Sequence, residues 1–383
     1  MIKYIIWALV TVIVIIACAI FGVDILFYIK NEIFEKYHIG RWETNESWHN
    51  AVKSTAKKWA LKTPTVRITD SERYVLWDIF NGKYRSQSIQ SWQTASLVLA
   101  LNTINEKDTS QRVISKYINS KGDWINNPIG VDSGLLSYSF MKTIEDEYRI
   151  KPAMDFMLNK ILSFKDDSDL ICYNKDNTNP EKYVDTLGFV CPFLTCYARI
   201  YNKPEYEKLA IKQLEFFHNF GLYNNLPNHA INSITKEPLG VYGWGRGVAW
   251  YLIGLLGTYI ECQNEIEKQV LFVWIKETAD SYLIYQKDDG GFGSTLQRKT
   301  TYDSSATTFL AYYYAYCYKL FGEEKYKNVS QKCLKKLKTV TRRNGALDCC
   351  QGDTKDIGIF AQYYDIMPFA QGYLVRAIEL LKG

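Results

Sequence analysis

The sequence predicts an all-α chain: an (α/α)6 barrel of helical hairpins preceded by one N-terminal membrane-spanning helix. Three observations carry that expectation. Apolar residues recur with helical period over most of the chain, and strict alternation is scarce. Four polar residues, Asp132, Asp185, Arg246 and Asp303, each open such a helical pattern, at separations of 53, 61 and 57 residues. Residues 4–23 form a run of 20 uncharged, mainly apolar residues.

That run follows Lys3 and continues past Asp24 to Ile29. It is long enough to cross a bilayer core of about 30 Å at 1.5 Å per residue. A cleaved signal peptide normally has a shorter apolar core ending in small residues. The stretch Ile15-Ile16-Ala17-Cys18 is similar to a lipoprotein cleavage box, but the residues after Cys18 stay apolar where a polar tether belongs. Residues 1–30 therefore read as an uncleaved signal anchor and 31–383 as one barrel domain. The barrel is expected outside the cytoplasm, although Lys3 on one side and Lys30, Lys36 and Arg41 on the other give little charge bias.

Helices are expected over 48–61, 91–104, 134–146, 187–201, 204–220, 248–262, 265–285, 305–321, 323–339 and 369–381, divided by turns such as Asn202-Lys203-Pro204 and Phe321-Gly322. The repeat interval equals two helices and two turns, and six such units account for the length beyond the anchor. If the inner helices of the pairs run parallel around an axis, their N-termini share one rim. Asp132, Asp185, Arg246 and Asp303 then meet at one mouth, where backbone N–H groups favour anions.

Composition narrows the function. The 29 tyrosines, 18 phenylalanines and 10 tryptophans suit an aromatic-lined pocket or simply a large core. A net charge of +5 fits an anionic sugar or a membrane surface and lacks the strong basic footprint of a nucleic-acid binder. Of the nine cysteines, Cys172, Cys191, Cys196, Cys262, Cys317 and Cys333 sit among apolar neighbours and read as buried thiols. No zinc-ligand spacing is present, and no metal or organic cofactor is implied.

The segment Gly240–Leu256, "GVYGWGRGVAWYLIGLL", packs glycines, tryptophans and an arginine where a helix begins. Glycines there allow a sharp turn and close approach to a ligand. Trp244 and Trp250 offer flat faces for sugar rings, and Arg246 suits a carboxylate. "VDTLGFVCPFL" from Val184, "LPNHA" from Leu226, "GWGRGVAW" from Gly243 and "DSSATTFLAYYYA" from Asp303 follow in order. In this set the sequence resembles the unsaturated glycuronyl and rhamnogalacturonyl hydrolases, glycoside hydrolase families 88 and 105, from about residue 130 onward.

The resemblance implies hydration of the C4=C5 double bond in a 4,5-unsaturated uronic acid at the non-reducing end of an acidic oligosaccharide. It implies that Asp185 delivers the proton to C4 and activates the water adding at C5, with Asp132 as partner carboxylate. His229, Trp244 and Arg246 match positions that contact substrate. Val248-Ala249 depart from the polar-small pair of many relatives, which removes one contact.

Plainer readings compete at each residue. Aspartate before small residues is a good helix N-cap, which applies to Asp132, Asp185 and Asp303. His229 follows Pro227-Asn228 in an expected loop, Trp244 and Trp250 suit a core, and Arg246 suits a bridge between helices. "QKDDGGFG" from Gln286 is similar to turns of terpene cyclases but occurs once, and reads as a turn between hairpins. The functional alternatives are a glycosidase acting on a saturated sugar and a membrane-tethered carbohydrate-binding or assembly protein without turnover.

Overall fold

The computed structural model describes residues 1–86, 89–174, 180–298 and 301–382. Its helices, in chain order, are α1 (Ile2–Tyr28), α2 (Asn45–Leu61), α3 (Val75–Phe80), α4 (Gln90–Thr103), α5 (Lys107–Ile114), α6 (Ser133–Met141) and α7 (Lys151–Leu162). They continue with α8 (Val184–Tyr201), α9 (Pro204–Phe220), α10 (Gly245–Glu261), α11 (Glu265–Tyr282), α12 (Ser304–Phe321), α13 (Glu324–Thr339) and α14 (Pro368–Leu380).

Six of them close a ring. Helices α4, α6, α8, α10, α12 and α14 each pack on the next, and α14 packs back on α4. Outside this ring α5, α7, α9, α11 and α13 each lean on the inner helix that precedes them, and α2 fills the sixth outer place against α14. The fold is the expected (α/α)6 barrel, its last pair assembled from both ends of the barrel sequence.

Residue chemistry sorts the two layers. Inner helices touch neighbours on every side, so nearly all of α8, α10 and α12 is buried. Outer helices are amphipathic: α13 buries Tyr326, Val329, Ser330, Cys333 and Leu337, a stripe at helical spacing, and leaves its lysines outside. Close approach within the inner ring requires missing side chains. A Cβ on Gly372 of α14 would lie 2.3 Å from the Ser96 carbonyl oxygen of α4.

The ten expected helices are all present, with ends shifted by a few residues. The largest shift is at α6, which ends at Met141 instead of Asp146, where a 3-10 turn over Glu147–Ile150 follows. The short polar α5, and α7 with its proline in the first turn, escaped the periodicity reading. The turn at Lys287–Gly291 joins two hairpins as expected: Lys287 N donates to Gly291 O, and Gly290 has φ +89°. The six cysteines expected to be buried are so, and none forms a disulfide.

The mouth is elaborated by short strands. β1 (Val66–Arg67) pairs β2 (Arg85–Ser86). β3 (Glu181–Tyr183) leads directly into α8 and pairs β5 (Leu226–Asn232), which also pairs β4 (Leu222–Tyr223) and β6 (Pro238–Tyr242). β7 (Cys350–Gln351) pairs β8 (Tyr364–Asp365).

Outside the barrel stands α1. It is 27 residues long and buries none of them. The helical stretch from Ile2 to Phe34 is long and apolar enough to cross a membrane.

Candidate active site

Asp132, Asp185, Arg246 and Asp303 stand at the N-terminal ends of α6, α8, α10 and α12, as the repeat predicts. They do different things there. Asp303 is a helix cap: it is fully buried and its Oδ1 accepts from Ser305 N at 2.9 Å and Gln351 N at 3.0 Å. Neither Asp132 nor Asp185 makes a side-chain cap bond, so the plain capping reading fails for both.

Asp185 opens into a cavity of about 230 Å³ that Trp92, Tyr173, Phe189, His229 and Asp353 help to line. Its Oδ2 is buried and has no hydrogen-bond partner. Two opposing influences act on its acidity. The first turn of a helix favours the charged carboxylate, whereas burial disfavours it. Burial wins: the Asp185 carboxyl is pushed up from 3.8 to about 7, with Arg246 pulling down and the nearby Asp353 carboxyl pushing up. Asp353 is itself raised by burial, with Arg246 opposing.

Asp132 is raised to about 6, by burial, while hydrogen bonds from Ser91 and the backbone hold it back. A second carboxyl whose charge bears on Asp185 is that of Asp353, in the loop after β7, which the sequence reading did not name beside Asp132. All three surround Tyr173, whose phenol is driven upward by burial and then by the charges of Asp185, Asp132 and Asp353.

His229 is not in an exposed loop. It lies within β5, 3% exposed, and the pairing of Ala230 with Tyr183 sets it beside the start of α8. Its Nδ1 accepts from Gly358 N at 3.2 Å, which leaves the ring proton on Nε2, 3.8 Å from Asp185 Oδ2. Burial, then Arg246, lowers His229 to about 4, so it is neutral at physiological pH and the pair is not a salt bridge.

Arg246 is 1% exposed, and its guanidinium donates to Gln351 O and Gly352 O, both at 2.7 Å. It lines the cavity while clamping the loop that carries Asp353, whose Oδ1 lies 3.9 Å away. The arginine thus bridges elements and faces a carboxylate of its own chain.

The tryptophans differ from the sugar-platform expectation. Trp244 is 1% exposed behind His229, with ring centroids 4.8 Å apart and its Nε1 donating to Gln351 Oε1. Trp250 touches the cavity but is also 1% exposed, wedged among Trp92, Phe189 and Phe369. Neither ring presents an open face. Among the described residues, the aromatic side chains with area free at the cavity are Tyr173, 36% exposed, and the half-buried Tyr183, neither of which the sequence reading singled out.

The glycines around Trp244 now have reasons. Gly243 adopts φ +71°, and a Cβ on Gly245 would meet Ala306 Cβ at 2.7 Å and Gly293 O at 2.8 Å. They serve a left-handed turn and a close helix contact. Among the described residues no group of His, Cys, Asp and Glu is arranged to hold a metal.

An (α/α)6 barrel with half-buried carboxyl groups at its mouth suits a glycoside hydrolase. The chain belongs to Glycosyl Hydrolase Family 88, whose family model matches residues 130–374. Solved structures share the fold at low identity. A possible member of the GH105 family from Klebsiella pneumoniae is 14% identical with a TM-score of 0.70, covering 89% of this chain and 94% of that one. An unsaturated glucuronyl hydrolase from Bacillus sp. GL1, responsible for glycosaminoglycan degradation, is 14% identical with a TM-score of 0.61 over 87% and 94%. An unsaturated glucuronyl hydrolase specific for heparin is 14% identical with a TM-score of 0.64 over 88% and 97%. No curated protein matches the chain.

Proposed function

We propose that this hydrolase removes a terminal 4,5-unsaturated uronic acid from an acidic oligosaccharide by hydrating the C4=C5 bond. The observation that carries the reading is Asp185: a half-buried carboxyl whose Oδ2 is buried and unpartnered, raised to about 7 and lining the cavity. Near neutral pH such a group is part protonated and part ionised, which suits a residue that gives a proton and then takes one.

In this reading Asp185 protonates C4, and positive charge develops across C5 and the ring oxygen. The Asp185 carboxylate then accepts a proton from the water that adds at C5. The resulting hemiketal opens by breaking its bond to the ring oxygen, and the hemiacetal left at C1 releases the linked sugar. One water is consumed and one glycosidic bond is lost.

His229 would donate from Nε2 to the substrate, and Asp132 and Asp353, both raised by burial, would bear less negative charge at the mouth than free carboxylates. The cavity, at about 230 Å³, is below the roughly 300–1,000 Å³ of sites for larger ligands and favours a single terminal residue. We read α1 as a single-pass anchor, with the barrel outside the cytoplasm; its length and its lack of any buried residue support the anchor.

The deciding experiment follows the ultraviolet absorbance of the conjugated double bond in lyase-generated oligosaccharides from pectin, glycosaminoglycans and ulvan. Loss of absorbance with the wild type and not with Asp185→Asn is the expected result. Release of a sugar from saturated substrates alone, or binding without any product, would overturn it.

A further inference from the structure

Helix α3 is built the wrong way round for a soluble surface. It buries Val75, 3% exposed, and leaves Tyr74, Trp77, Ile79 and Phe80 exposed at 56%, 67%, 43% and 78%. Four large apolar side chains on so short a segment mark a contact surface. Two observations indicate what covers it.

The first is position. The start of α3 is held by α1: Asp24 accepts from Tyr74 N at 2.8 Å and Val75 N at 2.9 Å, and Phe27 packs edge-on against Tyr84 at 5.3 Å. Asp24 is also the residue that ends the 20-residue uncharged run, a run that spans about 30 Å as a helix and equals the hydrocarbon thickness of a bilayer. Its carboxylate therefore falls at the bilayer boundary, and α3 falls there with it. The second is chemistry. Tryptophan and tyrosine settle at the headgroup level, and Arg73, Lys83 and Arg85 flank α3 in exposed positions suited to anionic headgroups.

We infer that α3 is a second membrane contact, seating its Tyr74, Trp77 and Phe80 side chains in the headgroup layer of the bilayer that α1 crosses. The inference rests on reading α1 as a span. It extends to the mouth of the barrel. The segment leading into α3 carries Asp70, which pairs with Lys355 and accepts from Gln362 N at 2.8 Å, and Arg67 lies over the Tyr363 ring at 4.8 Å. Lys355 lines the cavity, so the loop over the mouth is strapped to the membrane-seated segment.

The test uses the full chain reconstituted in phosphatidylcholine–phosphatidylglycerol vesicles whose acyl chains carry bromine at a shallow or a deep position. Subtracting the emission of Trp77→Phe from that of the wild type isolates Trp77. Shallow bromines are expected to quench this difference about two-fold more than deep ones, with retention of the protein after alkaline carbonate washing. Retention with an unquenched, water-like Trp77 would overturn the α3 contact and leave the anchor standing. Release by carbonate with an unquenched Trp77 would overturn both. Shielding of Trp77 that depends on protein concentration and not on lipid would assign the patch to a second copy of the chain, and also overturn the proposal.

Discussion

His229 Nε2 stands 3.8 Å from Asp185 Oδ2, with His229 Nδ1 occupied by the Gly358 N–H. The backbone of one loop thus fixes the tautomer, and the tautomer aims a proton into the space shared with the candidate acid. A neutral histidine beside a raised carboxyl can orient a substrate hydroxyl without competing for the proton that the reaction needs.

Asp185→Asn is expected to reduce turnover by roughly 10²–10⁴-fold while stabilising the protein at high pH. The sign follows from linkage. Asp185 titrates near 7 when folded and near 3.8 when unfolded, so between these values the folded state keeps a proton the unfolded chain has lost. Its contribution to stability falls as pH rises from about 4 to 7 and is flat above. The variant should gain on the order of 2–4 kcal/mol at pH 8 and almost nothing at pH 4, read by denaturant melts at both pH values.

Removing the charge of Asp353 should move the reaction's pH profile. Asp353 pushes Asp185 upward, so Asp353→Asn is expected to lower the pH at which activity falls on the alkaline side, near 7 in the wild type. A profile of kcat/KM against pH for the two proteins checks this. An unchanged alkaline limb would show that Asp185 does not govern it.

Arg246→Ala should cost more than substrate binding. It removes the two donors that hold Gln351 O and Gly352 O and takes away the cation 3.9 Å from Asp353, a loss of roughly 3–5 kcal/mol for truncating a buried, hydrogen-bonded charge. Thermal melts should drop, and limited proteolysis should open the chain between β7 and β8. Arg246→Lys should restore little, since a single ammonium does not reproduce the two-pronged geometry.

Gly372→Ala tests the ring itself. The added methyl would meet Ser96 O and Oγ, both at 2.3 Å, between α14 and α4. A loss of about 1–3 kcal/mol is expected in equilibrium unfolding. The same exchange at Gly322, where a Cβ meets nothing, lacks this clash and should suffer only the left-handed φ of +71°.

Much of the frame was legible because the inner helices begin alike. Asp132, Asp185, Arg246 and Asp303 are readable as a set from spacing alone, and each lies where the spacing puts it. Their differing duties are not readable, since capping by Asp303 and an unpartnered oxygen on Asp185 depend on what the neighbouring loops bring. His229 was misplaced in a loop because "LPNHAIN" is buried along nearly its whole length and shows no alternation. Asp353 and Tyr173 went unnoticed because each sits in a polar stretch whose importance comes only from folding back over the mouth. The tryptophans were read by chemical type, and packing decided otherwise.

The pairing of α2 with α14 imposes an order on the molecule's birth. The sixth spoke of the wheel takes one helix from residues 45–61 and the other from 368–380. While the ribosome is still making the second, the first has no partner, and the circle stays open with its apolar interior accessible. Closing it is a contact of great sequence separation, the slow kind. A nascent chain waits for its own last helix, so early termination should leave an open arc prone to aggregate.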